Sequence, residues 1–255
     1  MPNGTDIAVI QSSDLVELRI SKSNLEFFTR GFPPAGTSAE PGEVVSLTES
    51  SQTLRLLFEF VEQKPPPTLD RVDFYDLLLL AEAAEKYVVY SAITICRLKL
   101  REFLSKNPKE ILDFAARHND YTDFITALYP ILMDTPLAEI ATVLPLTSRY
   151  FTRWSLQSSR WSGALITATR LQNDHGNCPW WGHNMMQILR QLDKPSRLTQ
   201  PHLRKAFKDF VEEKSHRSCC VAAFSRWEQD IIQVVDKIPE FSIPEEVTPV
   251  LSFYE

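Results

Sequence analysis

The sequence contains little glycine, little cysteine and no long apolar run. Only seven of its 255 residues are glycine and four are cysteine, whereas seventeen are proline. Few glycines and many prolines are typical of a helical protein whose helices are cut into segments. Because no apolar run has the length of a membrane span, and the first residues show neither the basic nor the apolar part of a secretory signal, we expect no membrane partner.

The four cysteines are Cys96, Cys178, Cys219 and Cys220. They are scattered, and the last two are adjacent, which is a poor basis for a disulfide framework in so long a chain. This usage favours a reducing compartment. We therefore expect an intracellular protein, cytoplasmic, nuclear or both.

The chain also lacks an excess of positive charge. Lysine and arginine number 27 against 33 acidic residues, which gives a formal net charge of -6. Non-specific binding to nucleic acid needs a positive surface, so we expect no direct nucleic-acid partner. One segment is locally basic, through Arg197, Arg204, Lys205 and Lys208. Because Asp209, Glu212 and Glu213 lie among them, the segment is predicted to be a solvated helix face.

Signatures of chemistry are missing as well. The sequence has no glycine-rich phosphate loop, and the carboxylates Glu82 and Glu85 lie beside Lys86, which favours surface ion pairs over acid–base catalysis. A thiol-dependent enzyme would use Cys178 with His175 or His183 as its base, but none of the local signatures of such enzymes accompanies them. We predict no catalytic residues and no cofactor.

A metal site is the remaining alternative for the same segment. His175 and Cys178 have the two-residue gap of a ligand pair, and Cys219 and Cys220 follow later, but the usual C-x₂₋₄-C spacing of structural zinc is absent. Core thiols and a loop histidine are favoured over a metal.

The first hundred residues have an informative order. Residues 6–10 and 16–20 are short β-type runs around the turn-forming Ser12-Ser13-Asp14, and Val16, Leu18 and Ile20 alternate with polar residues as in a half-buried strand. These runs predict a β-hairpin. A third short strand is predicted at residues 44–47, after a Pro/Gly-rich loop at residues 33–42.

Helices are predicted for the remainder. The first begins at Ser50 or Ser51 and ends at the prolines of residues 65–67; the second follows Asp73, with residues 77–80 apolar on all sides and hence central. The third begins near Tyr90. The sequence Asn107-Pro108 is a strong helix start, and we place a domain boundary beside it, near Lys106.

Beyond that boundary only helical patterns remain. The predicted segments cover residues 111–118, 121–133, 135–144, 147–172, 185–192, 201–214 and 218–238, with an irregular loop at residues 173–184. Trp154, Trp161 and Trp227 are predicted to be core residues rather than a ligand groove. The predicted organisation is a first domain at 1–105, an all-helical region at 106–242 and a loose tail at 243–255.

The N-terminal layout resembles a BTB/POZ domain, and more closely the BTB family of mushroom-forming fungi. The stretches that carry the resemblance are residues 6–14 (DIAVIQSSD), 16–31 (VELRISKSNLEFFTRG), 43–57 (EVVSLTESSQTLRLL) and 79–96 (LLAEAAEKYVVYSAITIC). It continues in residues 108–118 and 218–241, so it covers most of the chain. The resemblance implies an α+β fold, with a small three-stranded sheet and a cluster of helices, followed by an all-α region.

The same resemblance implies a non-enzymatic protein-interaction module. Such domains act as adaptors or scaffolds by self-association or by recruiting a partner, which in some members is a cullin of a ubiquitin ligase. A transcriptional or chromatin regulator that recruits a corepressor is the alternative. Candidate contact residues are Phe27, Phe28 and Phe32, together with the loop at residues 33–42; packing beneath the sheet is the competing explanation for these aromatics.

Overall fold

The structure is a computed structural model that describes residues 7–32, 44–62, 64–118, 120–170, 178–213 and 218–243. Side chains are described for the same residues except 209–213 and 218–219. The chain divides into two compact units, residues 1–118 and 119–255. The first combines a small sheet with helices, and the described part of the second is helical, which confirms the α+β class with a helical C-terminal region.

The sheet of the first unit is mixed. It comprises β1 (Ile7–Gln11), β2 (Glu17–Ser21) and β3 (Val44–Ser46), in the spatial order β2-β1-β3. The predicted hairpin is confirmed, because β1 pairs with β2 in antiparallel register with Ile10 opposite Leu18. In β2, Leu18 and Ile20 are buried while Arg19 is exposed, so the alternation in the sequence corresponds to the two faces of the sheet.

The third strand pairs with β1 in parallel, which the sequence pattern did not predict. All three residues of β3 are exposed, so the strand has no alternation that could indicate its partner. The hairpin turn is closed by Ser12, whose hydroxyl donates to the carbonyl of Val16 at 3.0 Å. Leu15 takes a positive φ of 61° there, a conformation that glycine usually supplies.

The helices of the first unit are α1 (Lys22–Phe28), α2 (Ser51–Glu59), α3 (Phe74–Tyr87), α4 (Tyr90–Leu100) and α5 (Pro108–Arg117), with a 3-10 turn at Arg101–Phe103. Side-chain caps fix the starts of α2 and α3, as Ser21 does for α1. The Ser50 hydroxyl accepts from the Thr53 amide, and the Asp73 carboxylate accepts from the amides of Tyr75 and Asp76. Both caps agree with the predicted helix starts.

Two details differ from the sequence-based expectation. Helix α2 ends at Glu59, ahead of the prolines, because the amides of Phe60 and Val61 bond three residues back in a tightened last turn. Residues 77–80 are not buried on all sides either. Leu77 and Leu80 are fully buried, whereas Leu79 is 54% exposed, so this part of α3 has a solvent-facing side.

The second unit contains six α-helices within its described residues. These are α6 (Thr122–Leu132), α7 (Leu137–Val143), α8 (Arg149–Arg170), α9 (Trp181–Gln191), α10 (Gln200–Glu213) and α11 (Ser218–Val235), with a 3-10 turn at Pro195–Leu198. Trp181 to Asn184 therefore belong to a helix rather than to the predicted irregular loop, of which residues 173–177 lie outside the described residues.

Tryptophans organise the core of the second unit. Trp227 of α11 is fully buried and donates its indole N–H to the carbonyl of Ala168 in α8 at 3.0 Å. Trp154 is also fully buried, between Tyr129 and Phe241, and Trp161 is partly buried against the α8–α11 core. Trp154 and Trp227 are core residues, as predicted, and Trp161 lies at the edge of that core.

The unit boundary falls after His118, so α5 belongs to the first unit. The sequence had placed the boundary twelve residues earlier, near Lys106, on the strength of the Asn107-Pro108 helix start. A strong helix start marks only the beginning of an element. The contacts of α5 place it in the first unit, because Arg117 and His118 at its end contact Glu82 of α3. The predicted tail lies outside the described residues beyond Ile243.

Candidate protein-interaction surface

The three aromatic residues predicted as contacts have different positions in the first unit. Phe27, on α1, is 76% exposed, and its ring meets that of the half-buried Phe28 edge-to-face at 4.9 Å. Phe32 is instead stacked on Tyr87, with ring centroids 4.3 Å apart and planes at 14°. The structure therefore brings Phe27 and Phe28 together at the surface and uses Phe32 for packing.

Helix α1 presents this aromatic pair because of its own cap and anchor. The hydroxyl of Ser21 accepts from the amide of Asn24, which starts the helix directly after β2. Leu25 is the buried residue of α1 and fixes the helix to the unit. Phe27 lies two positions further on, about 200° around the helix, and so points away from that anchor. The neighbouring loop at residues 33–42, also predicted as a contact, lies outside the described residues.

A second candidate surface is a cleft of about 490 Å³ along α3. Leu79, Glu82, Ala83 and Lys86 of α3 face it at helical spacing, and its opposite wall includes Glu49 from the segment between β3 and α2. Leu79 is its exposed apolar residue. Tyr75, one turn earlier on α3, is 63% exposed, so the apolar character continues along this side of the helix.

The charges at one end of this cleft are paired around Glu82. Its two oxygens contact Arg117 at 2.7 Å and His118 at 3.1 Å. Burial would raise the pKa of Glu82, but the hydrogen bond from His118 and the charge of Arg117 outweigh burial and hold the pKa below its usual value. The carboxylate thus stays ionised and joins α3 to the end of α5.

The other end is organised by Glu49. Its carboxylate accepts from the Lys86 ammonium at 2.7 Å and from the Tyr87 hydroxyl at 2.6 Å. Burial would raise the pKa of Glu49, yet these hydrogen bonds hold it below its usual value. Burial and the bond to Glu49 raise the pKa of Tyr87 to about 12. Lys86 is thus paired with Glu49, which lies outside α3. The prediction that this face of α3 forms ion pairs is confirmed, although the partner of Lys86 comes from another segment.

What these groups do is chiefly structural. Glu82 and Glu49 each engage a cation and a second donor, and the Ser50 hydroxyl in the same cleft caps α2. The paired charges leave Leu79 and the Ala83 methyl as the apolar part of the wall.

The cysteine candidates are partly brought together. The sulfur atoms of Cys178 and Cys220 lie 3.5 Å apart in the second unit. His175 and the side chain of Cys219 lie outside the described residues. Cys96 belongs to the first unit, where burial raises the pKa of its thiol to about 12 and so suppresses the reactive thiolate.

Within the part of the chain that the structure describes, no three histidine, cysteine or acidic side chains are grouped as metal ligands. No helix among the described residues is both long enough and apolar enough to cross a bilayer. Comparison of the chain with protein-family models, with curated proteins and with solved structures finds no match in any of the three.

Sequence reasoning missed the exposed residues of α3 and α4, namely Tyr75, Leu79, Tyr90 and Leu98. Leu79 was hidden inside an apolar run that indicated burial on all sides.

Proposed function

We propose that the chain is a non-enzymatic protein-interaction module that acts as an adaptor or scaffold through a BTB/POZ-like first unit. The order of elements supports this resemblance: a β-hairpin, a short helix, a third strand and then a run of helices, in residues 1–118. This is the layout that the resemblance implies, with the three-stranded sheet and the helix cluster in one unit.

The observation that carries the proposal is the exposed aromatic pair on α1. Phe27 keeps three quarters of its surface in water, although burying a phenylalanine side chain stabilises a protein by about 2 kcal/mol. No described residue covers it, and Phe28 extends the apolar surface beside it. Aromatic anchors that lose their exposure on association are typical hot spots of protein interfaces.

Contact through α1 would leave the fold of the unit unchanged. Leu25 and the Ser21 cap hold the helix independently of Phe27, and Phe32 continues to stack on Tyr87. The partner is a second copy of the chain or a different protein, and a cullin or a corepressor would be instances of the second class. Binding to either kind of partner would bury the same aromatic surface, so one variant of that surface tests both.

The test compares the full chain with Phe27→Ser. Sedimentation velocity from about 1 to 100 µM measures self-association, and affinity capture from a lysate of the native cells measures other partners. Leu146→Ser is the matched control, because Leu146 is 63% exposed and belongs to the second unit. We expect Phe27→Ser to abolish either a concentration-dependent dimer or the capture of a defined protein, and Leu146→Ser to retain it. A chain that stays monomeric, with one set of captured proteins for all three forms, would contradict the proposal.

A further inference from the structure

A second cleft, in the second unit, is lined by cations from three separate elements. Arg190 comes from the last turn of α9, Arg197 from the 3-10 turn and Lys205 from the second turn of α10. The cleft has a volume of about 490 Å³. That is within the usual range for sites that hold small molecules, roughly 300–1,000 Å³.

The charges in this cleft are unbalanced. Among the described residues that line the cleft, Asp193 is the single carboxylate against three cations, so these side chains carry two net positive charges, His202 not counted. Among the described residues, none forms an ion pair with Arg190, Arg197 or Lys205. This differs from the cleft along α3, where each cation has a carboxylate partner. It is also unexpected in a chain whose formal net charge is -6.

The scaffold that holds Arg197 is fixed by other contacts. The amide and hydroxyl of Ser196 both donate to the carboxylate of Asp134, and Lys194 contacts the same carboxylate at 3.5 Å. Leu198, on the other side of Arg197, is fully buried. The 3-10 turn is therefore anchored on both sides, and Arg197 is presented to the cleft from a fixed backbone.

We propose that this cleft binds a phosphate monoester group. Two guanidinium groups can each offer paired N–H donors to phosphate oxygens, and Lys205 adds a third positive charge. The net charge of +2 on the described lining is equal and opposite to that of a phosphate monoester dianion. The volume exceeds that of a phosphate ion alone, so it leaves space for the organic part of the ligand.

The sequence had treated Arg197, Arg204, Lys205 and Lys208 as one solvated helix face. The structure separates them. Arg197 and Lys205 line the cleft with Arg190, whereas Arg204 is outside it and contacts Gln200 at 3.3 Å. Arg190, seven residues before Arg197, was not among the residues considered. The cleft belongs to the second unit and the proposed protein-interaction surface to the first. An experiment can therefore contradict one proposal without affecting the other.

The experiment titrates the full chain by calorimetry with inorganic phosphate, phosphoserine and a short phosphoserine peptide, and uses serine as the uncharged control. We expect phosphoserine to bind, serine not to bind, and added sodium chloride to weaken the binding. A peptide that binds at least tenfold more tightly than phosphoserine would identify a phosphorylated protein as the source. Equal binding of the two would identify a small phosphate ester.

Charge variants distinguish a specific phosphate-binding site from non-specific electrostatic attraction to a basic surface. Arg197→Gln and Lys205→Gln should each weaken phosphoserine binding by about fivefold to tenfold, as expected for loss of a charge-assisted hydrogen bond. Asp193→Asn should strengthen it about threefold, because a repelling carboxylate is removed. Arg204→Gln is the matched control, since it removes the same charge from the same helix outside the cleft. We expect it to bind as the unmodified chain does.

Thermal melting by circular dichroism verifies that each variant is folded. If Arg197→Gln does not fold, Lys205→Gln provides the same comparison from a different element. Absence of phosphoserine binding would overturn the proposal. So would an equal loss in Arg204→Gln, or a single-stranded oligonucleotide that binds more tightly than phosphoserine and is affected alike by all the charge variants, because either result would indicate a diffuse basic surface.

Discussion

The hydroxyl of Tyr87 donates a 2.6 Å hydrogen bond to the carboxylate of Glu49 and thereby joins the end of α3 to the segment that precedes α2. The ring of Tyr87 also stacks on Phe32, after α1, so this one side chain connects three parts of the first unit. The unit that presents the exposed Phe27 therefore depends on Tyr87 for its internal order.

Tyr87→Phe should lower the free energy of unfolding of the first unit by about 1–2 kcal/mol. The substitution keeps the stacking on Phe32 and removes only the hydrogen bond to a charged acceptor. Urea denaturation at pH 7 measures the change. Tyr90→Phe is the control, because Tyr90 is 64% exposed, and it should be close to neutral. Equal effects of the two substitutions would show that the bond to Glu49 contributes nothing measurable.

The raised pKa of Tyr87 predicts that the folded chain loses stability at alkaline pH. The pKa of Tyr87 rises from 10 to about 12 in the folded protein through burial and the bond to Glu49. Below pH 10 the hydroxyl is protonated in both states and its contribution is complete; between pH 10 and 12 only the folded state retains the proton, so stability falls as the pH rises. The stability difference between the unmodified chain and Tyr87→Phe should shrink over this range. A constant difference in denaturation curves would contradict the assignment.

Gly31 should not tolerate a side chain. A Cβ atom there would lie 2.6 Å from the carbonyl oxygen of Lys86 and from the Cα of Tyr87, so the backbones would have to separate. We expect Gly31→Ala to destabilise the chain by about 2 kcal/mol or more, within the range of overpacking. Gly163→Ala is the matched control, because nothing lies within 4 Å of its added Cβ on α8. It should stabilise slightly, by about 0.5–1 kcal/mol. Thermal denaturation of both variants shows whether each substitution stabilises or destabilises the chain; stabilisation by Gly31→Ala would contradict the close approach of Gly31 to Tyr87.

Val88 closes α3 in a left-handed conformation, with φ of 53°, that β-branched residues rarely adopt. Val88→Gly should therefore be neutral or raise the free energy of unfolding by up to about 1 kcal/mol, since relief of this conformation offsets the greater freedom of the unfolded chain. Val89→Gly, at a fully buried position with negative φ, should instead destabilise strongly. Equal losses in urea denaturation for both variants would contradict the left-handed assignment.

Cys178 and Cys220 should be linked by mild peroxide. One thiol is oxidised to a sulfenic acid with release of water, and the other thiol displaces a second water to form the disulfide. The sulfur atoms need to approach from 3.5 Å to about 2.05 Å. Peptide mapping without reduction should find the link in the unmodified chain and in Cys219→Ser, and should not find it in Cys220→Ser. A link from Cys178 to Cys219 would show that α11 is rotated from the orientation described.

Much of the first unit could be predicted because its signals are local. Alternation in residues 16–20 indicated the hairpin, and Ser50 and Asp73 indicated helix starts through side chains that bond within three residues. Contacts between distant residues have no such signal. Tyr87 and Glu49 are 38 residues apart, and Cys178 and Cys220 are 42 apart. The cleft lined by Arg190, Arg197 and Lys205 has a different origin: its cations lie within sixteen residues, and the packing of α9, the 3-10 turn and α10 places them around one cleft.

Exposure was the least predictable property of the candidate surface. Phe27 and Phe32 are equally aromatic and only five residues apart, yet the first is exposed and the second stacks on Tyr87. The difference follows from where α1 ends relative to its anchor, Leu25, and from the close approach of Gly31 to Tyr87. Neither relationship can be deduced from hydrophobicity along the chain.

The most direct test of the proposed interaction is a photo-crosslinking amino acid placed at position 27 of the full chain. It is irradiated in a lysate of the native cells and at micromolar concentration in pure solution. We expect a covalent adduct with a second copy or with a defined protein, and no such adduct when the same group replaces Leu146. Failure to form an adduct at position 27 under both conditions, or the same adducts from positions 27 and 146, would contradict a protein-binding role for this surface.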